Sequence, residues 1–125
     1  MNVPKHLRYS INHEWVNESV DPAEVGITAF AATALGDVIY VELPEPGNHL
    51  TAGDACGEVE STKSVAELYL PVSGEVVAVN EEVLADPSLI GADPYGKGWL
   101  VRVRLAEAPP LMSSDEYLAF CNESR

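Results

Sequence analysis

Lys63 stands in the stretch from Gly57 to Val79, and its immediate neighbours Ser61, Thr62 and Ser64 are small and polar. On one side Val59 alternates with Glu58 and Glu60. On the other, Val65 to Leu70 is rich in strand-forming residues. The pattern predicts a hairpin with the lysine at its tip, projecting a primary amine where a modifying enzyme can reach it. Two roles suit such a lysine: a solubilising surface charge, or the attachment point of a covalently carried group. General-base work suits it less, because that needs a buried amine with a depressed pKa. The setting favours a handle. Only 7 Lys and Arg face 20 Asp and Glu in the chain, and Lys63 lies midway between two related blocks.

Other chemistry has thinner support. Glu14, Glu60 and Glu67 could supply a carboxylate pair, but in so acidic a chain such residues also read as a solvated face. The 3 histidines, His6, His13 and His49, lack both the helical spacing of a zinc pair and nearby cysteine ligands, so no metal site is expected. There is no nucleophile elbow, phosphate loop or dinucleotide fingerprint, and Gly96-Lys97-Gly98 has neither a strand before it nor a helix after it. Cys56 and Cys121 form no CxxC pair and read as reduced cytosolic thiols.

The elements that must hold the lysine follow from local signals. Short strands are predicted around Tyr9 to Val20 and at Val25-Gly26-Ile27, with a turn at Asp21-Pro22. Thr28 can cap a short helix from Ala29 to Leu35, with Gly36 as its left-handed stop. Val38 to Leu43 reads as a strand closed by Pro44, Pro46 and Gly47. The block Gly36-Asp37-Val38-Ile39-Tyr40-Val41 matches Gly74-Glu75-Val76-Val77-Ala78-Val79, and two such units could form the halves of a small sandwich with the Lys63 turn at one end. Pro71 and Gly74 are expected to break the chain before the second unit. Glu81 to Ala85 reads as a helical turn, Gly91 to Gly98 as a loop, and Trp99 to Leu105 as a half-buried strand. A terminal helix over about 113–123 begins at the Ser113/Glu116 capping-box pattern.

A length of 125 residues suits one domain with a proper core, and 46% hydrophobic against 22% charged residues is ordinary for a folded chain. The net charge of −13, with a sequence pI near 4.3, repels nucleic acid and anionic membranes. It favours basic protein partners, or simply keeps the protein soluble. The start has no signal-peptide core or transit segment and no apolar run reaches membrane-spanning length, so a cytoplasmic protein is expected.

The chain closely resembles the H proteins of the glycine cleavage system. The resemblance rests on Tyr9-Ser10 with His13-Glu14-Trp15-Val16, on Gly26-Ile27-Thr28 and on Leu35-Gly36-Asp37-Val38. Val41-Glu42-Leu43-Pro44 and Glu60-Ser61-Thr62-Lys63 continue it, as do Pro71-Val72-Ser73-Gly74-Glu75-Val76, Asp93-Pro94-Tyr95-Gly96 and Gly98-Trp99-Leu100. It implies a mainly β, barrel-sandwich hybrid fold of the lipoyl/biotinyl type, with two small antiparallel sheets and short helices in the N-terminal half and at the C-terminus. It further implies a single carrier domain over 1–125 that is not itself an enzyme and works as a monomer.

By resemblance, Lys63 carries lipoate in amide linkage. The arm takes an aminomethyl group from glycine decarboxylase (P protein) to aminomethyltransferase (T protein) and is reoxidised by dihydrolipoamide dehydrogenase (L protein). Glu60, three residues before the lysine, and Gly74, as a tight-turn glycine, are expected to matter to the lipoate-attaching enzyme. Glu14 and Glu67 are expected to dock the loaded arm. Departures from the family pattern are Ser64 after the lysine, Ala66-Glu67 beyond it, and Ala34 where a polar residue often stands, which weakens the case for arm contact there. The alternatives are a lipoyl or biotinyl domain of another multienzyme complex and a lipoyl-relay or adaptor protein. Thr62 and Ser64 stand where biotinyl domains favour Met on both sides of the lysine.

Overall fold

Residues 2–123 are described by the structure, a computed structural model. Strands β1 (Arg8–Tyr9), β2 (Glu14–Asn17) and β3 (Ala23–Ile27) run antiparallel to one another. β2 is buried on both faces: Val16 points into the main core, while Trp15 belongs to a second cluster with Leu7, Tyr9, Tyr117 and Cys121. The Trp15 indole lies against Gly26, where an added β-carbon would stand 2.7 Å from the ring, and its Nε1 donates to the Pro94 carbonyl at 2.9 Å.

Helix α1 (Ala29–Leu35) forms as its termini dictate. The Thr28 Oγ1 accepts from the Ala31 N–H at 3.2 Å, and Gly36 takes φ +81° to end the helix. The chain continues through β4 (Val38–Glu42), β5 (His49–Leu50), β6 (Ala55–Ser61), β7 (Val65–Tyr69) and β8 (Ser73–Val79). Then follow α2 (Glu81–Ala85), α3 (Leu89–Ala92), β9 (Val101–Glu107) and α4 (Ser114–Glu123). One sheet has six strands in the order β1-β2-β3-β9-β8-β5, and the other has three in the order β4-β6-β7.

The two sequence repeats end up in opposite sheets, one in β4 and the other in β8. Between the sheets lie Val41, Val59, Leu68, Val76 and Val103, each at most 5% exposed. This is the mainly β sandwich of two antiparallel sheets that the repeat suggests. The C-terminal helix starts as the capping box predicts: Ser113 N–H donates to the Glu116 carboxylate at 2.8 Å, and Glu116 N–H donates to Ser113 Oγ at 3.2 Å. Its buried Tyr117 stacks on Tyr9, with ring centroids 4.7 Å apart.

Three local expectations change. Trp99 does not enter the last strand, because the Asn80 amide donates to the carbonyls of both Lys97 and Trp99 at 2.7 Å and holds that segment as a loop. The strand therefore begins at Val101 and runs to Glu107. The loop expected from Gly91 instead begins inside α3. Gly74 is not a turn residue: the bend falls at Pro71-Val72, and Gly74 sits buried within β8, paired with Leu50 on one side and Leu105 on the other.

Candidate functional site

Strands β6 and β7 pair from Ala55–Tyr69 to Glu60–Val65 and leave Thr62, Lys63 and Ser64 exposed in the connecting turn. Ser61 builds that turn. Its N–H donates to the Ser64 carbonyl at 2.8 Å, and its hydroxyl oxygen accepts from the N–H groups of Lys63 (3.3 Å) and Ser64 (3.1 Å). The Thr62 N–H donates to the Asp37 carbonyl at 3.1 Å, which ties the turn to the segment just after α1. Lys63 is thus an exposed side chain on a fixed backbone. The described ion pairs are Arg102–Glu24 and Arg104–Glu75, both on the six-stranded sheet, and neither engages Lys63. Its aliphatic stem lies over Gly36, with Cε 3.6 Å from where a β-carbon on that glycine would be.

Beside the turn opens a cleft of about 270 Å³ whose lining includes Glu14, Phe30, Ala34, Ser64, Ala66 and Glu67. Three elements meet there: the start of β2, one face of α1, and β7 directly after the lysine turn. The structure therefore brings Glu14 and Glu67 into one cavity, although they are far apart in sequence. They differ in setting. Glu67 is exposed and accepts from the Tyr69 hydroxyl at 3.3 Å. Glu14 is only 3% exposed, so it is not the solvated surface acid that composition alone would suggest. The Ser10 hydroxyl donates to one of its oxygens at 2.6 Å, and the Tyr69 N–H donates to the other at 3.4 Å. Burial outweighs these bonds and pushes the Glu14 carboxyl up to about 7.

The wall opposite Glu67 is positioned from a distance. His13, with φ +65°, stacks on Phe30 at a centroid separation of 4.7 Å. Its Nδ1 shares a 2.7 Å hydrogen bond with the Tyr117 hydroxyl, which shares another of 2.7 Å with Thr28 Oγ1, the cap of α1. Helix α4 thereby fixes both the histidine and the helix that line the cleft. Burial holds the His13 imidazole below its usual pKa, which favours the neutral ring. Sequence reasoning grouped His13 with Glu14 but did not find the partnership with Tyr117. The signal present was the capping-box helix with inward Tyr117 at its first turn. Ala34 does line the cleft, but offers it only a methyl group.

The other two sequence-predicted positions lie apart. Glu60 is half-exposed on β6, in a cross-strand row with Tyr40 and Val65 just before the lysine turn. Gly74 belongs to the other sheet, where a β-carbon would collide with the Arg104 carbonyl and stand 2.7 Å from Val103 Cγ1. Among the described residues, no group of three His, Cys, Asp or Glu is placed to hold a metal ion, and no helix is long and apolar enough to cross a membrane.

A family model described as "Glycine cleavage H-protein" matches residues 7–124. The glycine cleavage system H protein of Thermobifida fusca is 58% identical over 118 residues, covering 94% of both chains. That of Streptomyces coelicolor is 55% identical over 122 residues, covering 96% of this chain and 98% of the other. A crystal structure of a glycine cleavage system H protein from Mycobacterium marinum superposes with a TM-score of 0.91 at 41% identity, covering 96% of this chain and 99% of that one. With nearly its whole length matched and the lysine hairpin, cleft and two-sheet frame in place, this chain belongs to the glycine cleavage H-protein family.

Proposed function

We propose that Lys63 carries lipoate in amide linkage and that the whole chain, as one monomeric domain over 1–125, is the mobile carrier of glycine cleavage. The observation that carries this reading is the exposed Lys63 on a pinned turn, outside both described ion pairs and opening beside a cleft that holds two carboxylates. When bound, lipoate supplies a reducible disulfide on a long arm, through which an aminomethyl group is taken up and passed on. The partners are glycine decarboxylase, aminomethyltransferase, dihydrolipoamide dehydrogenase and a lipoate-attaching enzyme. Tethering confines the cargo to the volume around this domain, so each docking event makes transfer quasi-intramolecular. A cytoplasmic setting belongs to the same reading and agrees with Cys56 and Cys121 as separate thiols.

The chain's own residues hold and shield the cargo. Glu14 and Glu67 face one cavity, where they can pair with a cationic amine, and Phe30, Ala34 and Leu35 supply the apolar wall that limits water. Glu14 is nearly poised between neutral and charged forms at neutral pH, and arrival of a cation draws it to the carboxylate. Glu60, on the last cross-strand row before the turn, is the contact read by the attaching enzyme. Gly74 keeps the second repeat strand against β9, preserving the folded shape that enzyme requires.

The test is Lys63→Arg in a reconstituted system of the four proteins. Arginine keeps the charge but cannot be acylated in the lysine's place, so glycine cleavage is expected to vanish while circular dichroism and melting stay as in the parent. Retained cleavage would refute the assignment.

A further inference from the structure

Glu14 lies between two cavities. One is the cleft beside the lysine turn; the other is a groove of about 360 Å³ whose lining includes Ser10, Ile11, Pro71 and the segment 109–112 ahead of α4, and Asn12 and Glu14 line both. Ser10 stands on the groove side of the carboxylate. Its hydroxyl oxygen accepts from the Glu14 N–H at 3.1 Å, which fills one lone pair and aims the O–H at the side chain of the same residue, to which it donates at 2.6 Å. The backbone is clasped as well: the Ser10 N–H donates to the Glu14 carbonyl at 2.9 Å, and the Ser10 carbonyl accepts from the His13 N–H at 3.1 Å. The buried hydroxyl is therefore a fixed donor. The second donor to the carboxylate, the Tyr69 N–H, is much longer at 3.4 Å.

Little else around Glu14 favours its charged form. The titratable groups that face it are Tyr9 from β1, His13 at the entry to β2, Cys56 from β6, and Glu67 and Tyr69 from β7, while α1 and the segment 109–112 bring none. No lysine or arginine lines any cavity that Glu14 borders. Burial favours the neutral His13 ring, the Cys56 thiol is pushed up to about 12, and Tyr9 and Tyr69 are both raised, so none of these four supplies a positive charge at neutral pH. Glu67 is a second acid. The short bond from Ser10 is thus the main local influence that opposes burial at Glu14.

Building on the carrier reading above, we infer that Ser10 is a positioning residue for cargo holding: its hydroxyl fixes the Glu14 carboxylate and keeps it charged for the amine that enters the cleft. Each carboxylate oxygen can accept more than one hydrogen bond, so the Ser10 and Tyr69 bonds leave acceptor capacity for that amine. The groove gives the acid proton an exit that a filled cleft does not block. The proton of a neutral Glu14 passes to the Ser10 oxygen as the Ser10 proton passes to solvent water in the groove, leaving a carboxylate, an intact hydroxyl and a hydrated proton.

The experiment uses the full chain as parent, Ser10→Ala and Ser10→Thr. In the unmodified proteins, side-chain carboxyl NMR follows Glu14 through its titration. Loss of a donor to the charged form is expected to move the midpoint of Ser10→Ala up by about one pH unit, and the threonine hydroxyl to restore it. In the lipoylated, aminomethyl-loaded proteins, release without the transferase is timed from about pH 5 to 8.5, and the rate of Ser10→Ala is divided by that of the parent. The intrinsic pH dependence of release and the titration of His13 are common to both proteins and cancel in this ratio. The ratio is expected to peak at about three- to tenfold between the two Glu14 midpoints and to fall on either side, since Glu14 is charged in both proteins at high pH and in neither at low pH. A merely loosened cleft would give a flat ratio. That result, an unmoved midpoint, or a Ser10→Thr chain that behaves like Ser10→Ala would overturn the role of Ser10. A parent chain that accepts no lipoate would overturn the carrier reading itself, whatever the titration of Glu14 shows.

Discussion

Glu14 is 3% exposed and its carboxyl is pushed up to about 7 by burial, so near neutral pH the folded protein is divided between its neutral and charged forms. Below about pH 4.5 the group is protonated in both folded and unfolded chains. As pH rises from there through 7, the unfolded chain ionises first, so the stability contributed by the neutral buried acid is progressively lost, by up to about 3 kcal/mol. Glu14→Gln is uncharged throughout. In chemical denaturation its stability relative to the parent is expected to improve between pH 4.5 and 8 by that order, whereas a gap that does not change with pH would show an ordinarily titrating Glu14. With cargo present, the same residue acts in the opposite sense. Losing a charge-assisted hydrogen bond costs about 1.5–3 kcal/mol, so a Glu14→Gln, Glu67→Gln double variant is expected to release aminomethyl cargo at least about tenfold faster when the transferase is absent. An unchanged lifetime would leave both acids without a role in holding it. From sequence, the two glutamates were nameable as candidates, but the burial that separates them was not, because it comes from strands and a helix remote from residue 14.

At the scale of elements, legibility follows how local the determining chemistry is. Thr28, the alanine-rich run and Gly36 write α1 into consecutive residues, and Ser113 with Glu116 does the same for the start of α4. The lysine hairpin was equally readable, since both arms and the polar turn are contiguous. By contrast, Trp99 looks like a strand residue until Asn80 claims the carbonyl, and Pro71 with Gly74 looks like one turn although only the first belongs to the bend. Gly74 is small because β9 passes close by, a reason that lies in the partner strand. Gly74→Ala is therefore expected to cost about 1–3 kcal/mol through overpacking, measured by denaturant melts. Glu60→Ala is expected to keep the parent's stability and still be lipoylated several-fold more slowly. A Glu60→Ala chain modified at the parent rate would remove Glu60 from recognition.

Across the whole molecule, the repeated hexapeptide foretold two sheet halves, and one copy does lie in each sheet. It could not foretell their unequal sizes. The six-stranded sheet gains β1, β2 and β3, whose aromatic residues Tyr9 and Trp15 pack with α4 in a second cluster and anchor the cleft wall through the Tyr117 contacts. The charge is also unevenly answered: both described ion pairs are on the six-stranded sheet, while Glu42, Glu58 and Glu67 form an exposed cross-strand row on the other without a described cation. Like charges in register oppose pairing, and a row of this kind next to the lysine turn suits brief encounters with basic partner surfaces. All of this serves one claim, that Lys63 bears the transferable group. Proteolytic peptide mass spectrometry on the protein purified from its own host tests that claim most directly. A lipoyl adduct is expected on the peptide containing Lys63 and on no other lysine; an unmodified Lys63, or an adduct on Lys5 or Lys97, would refute that claim.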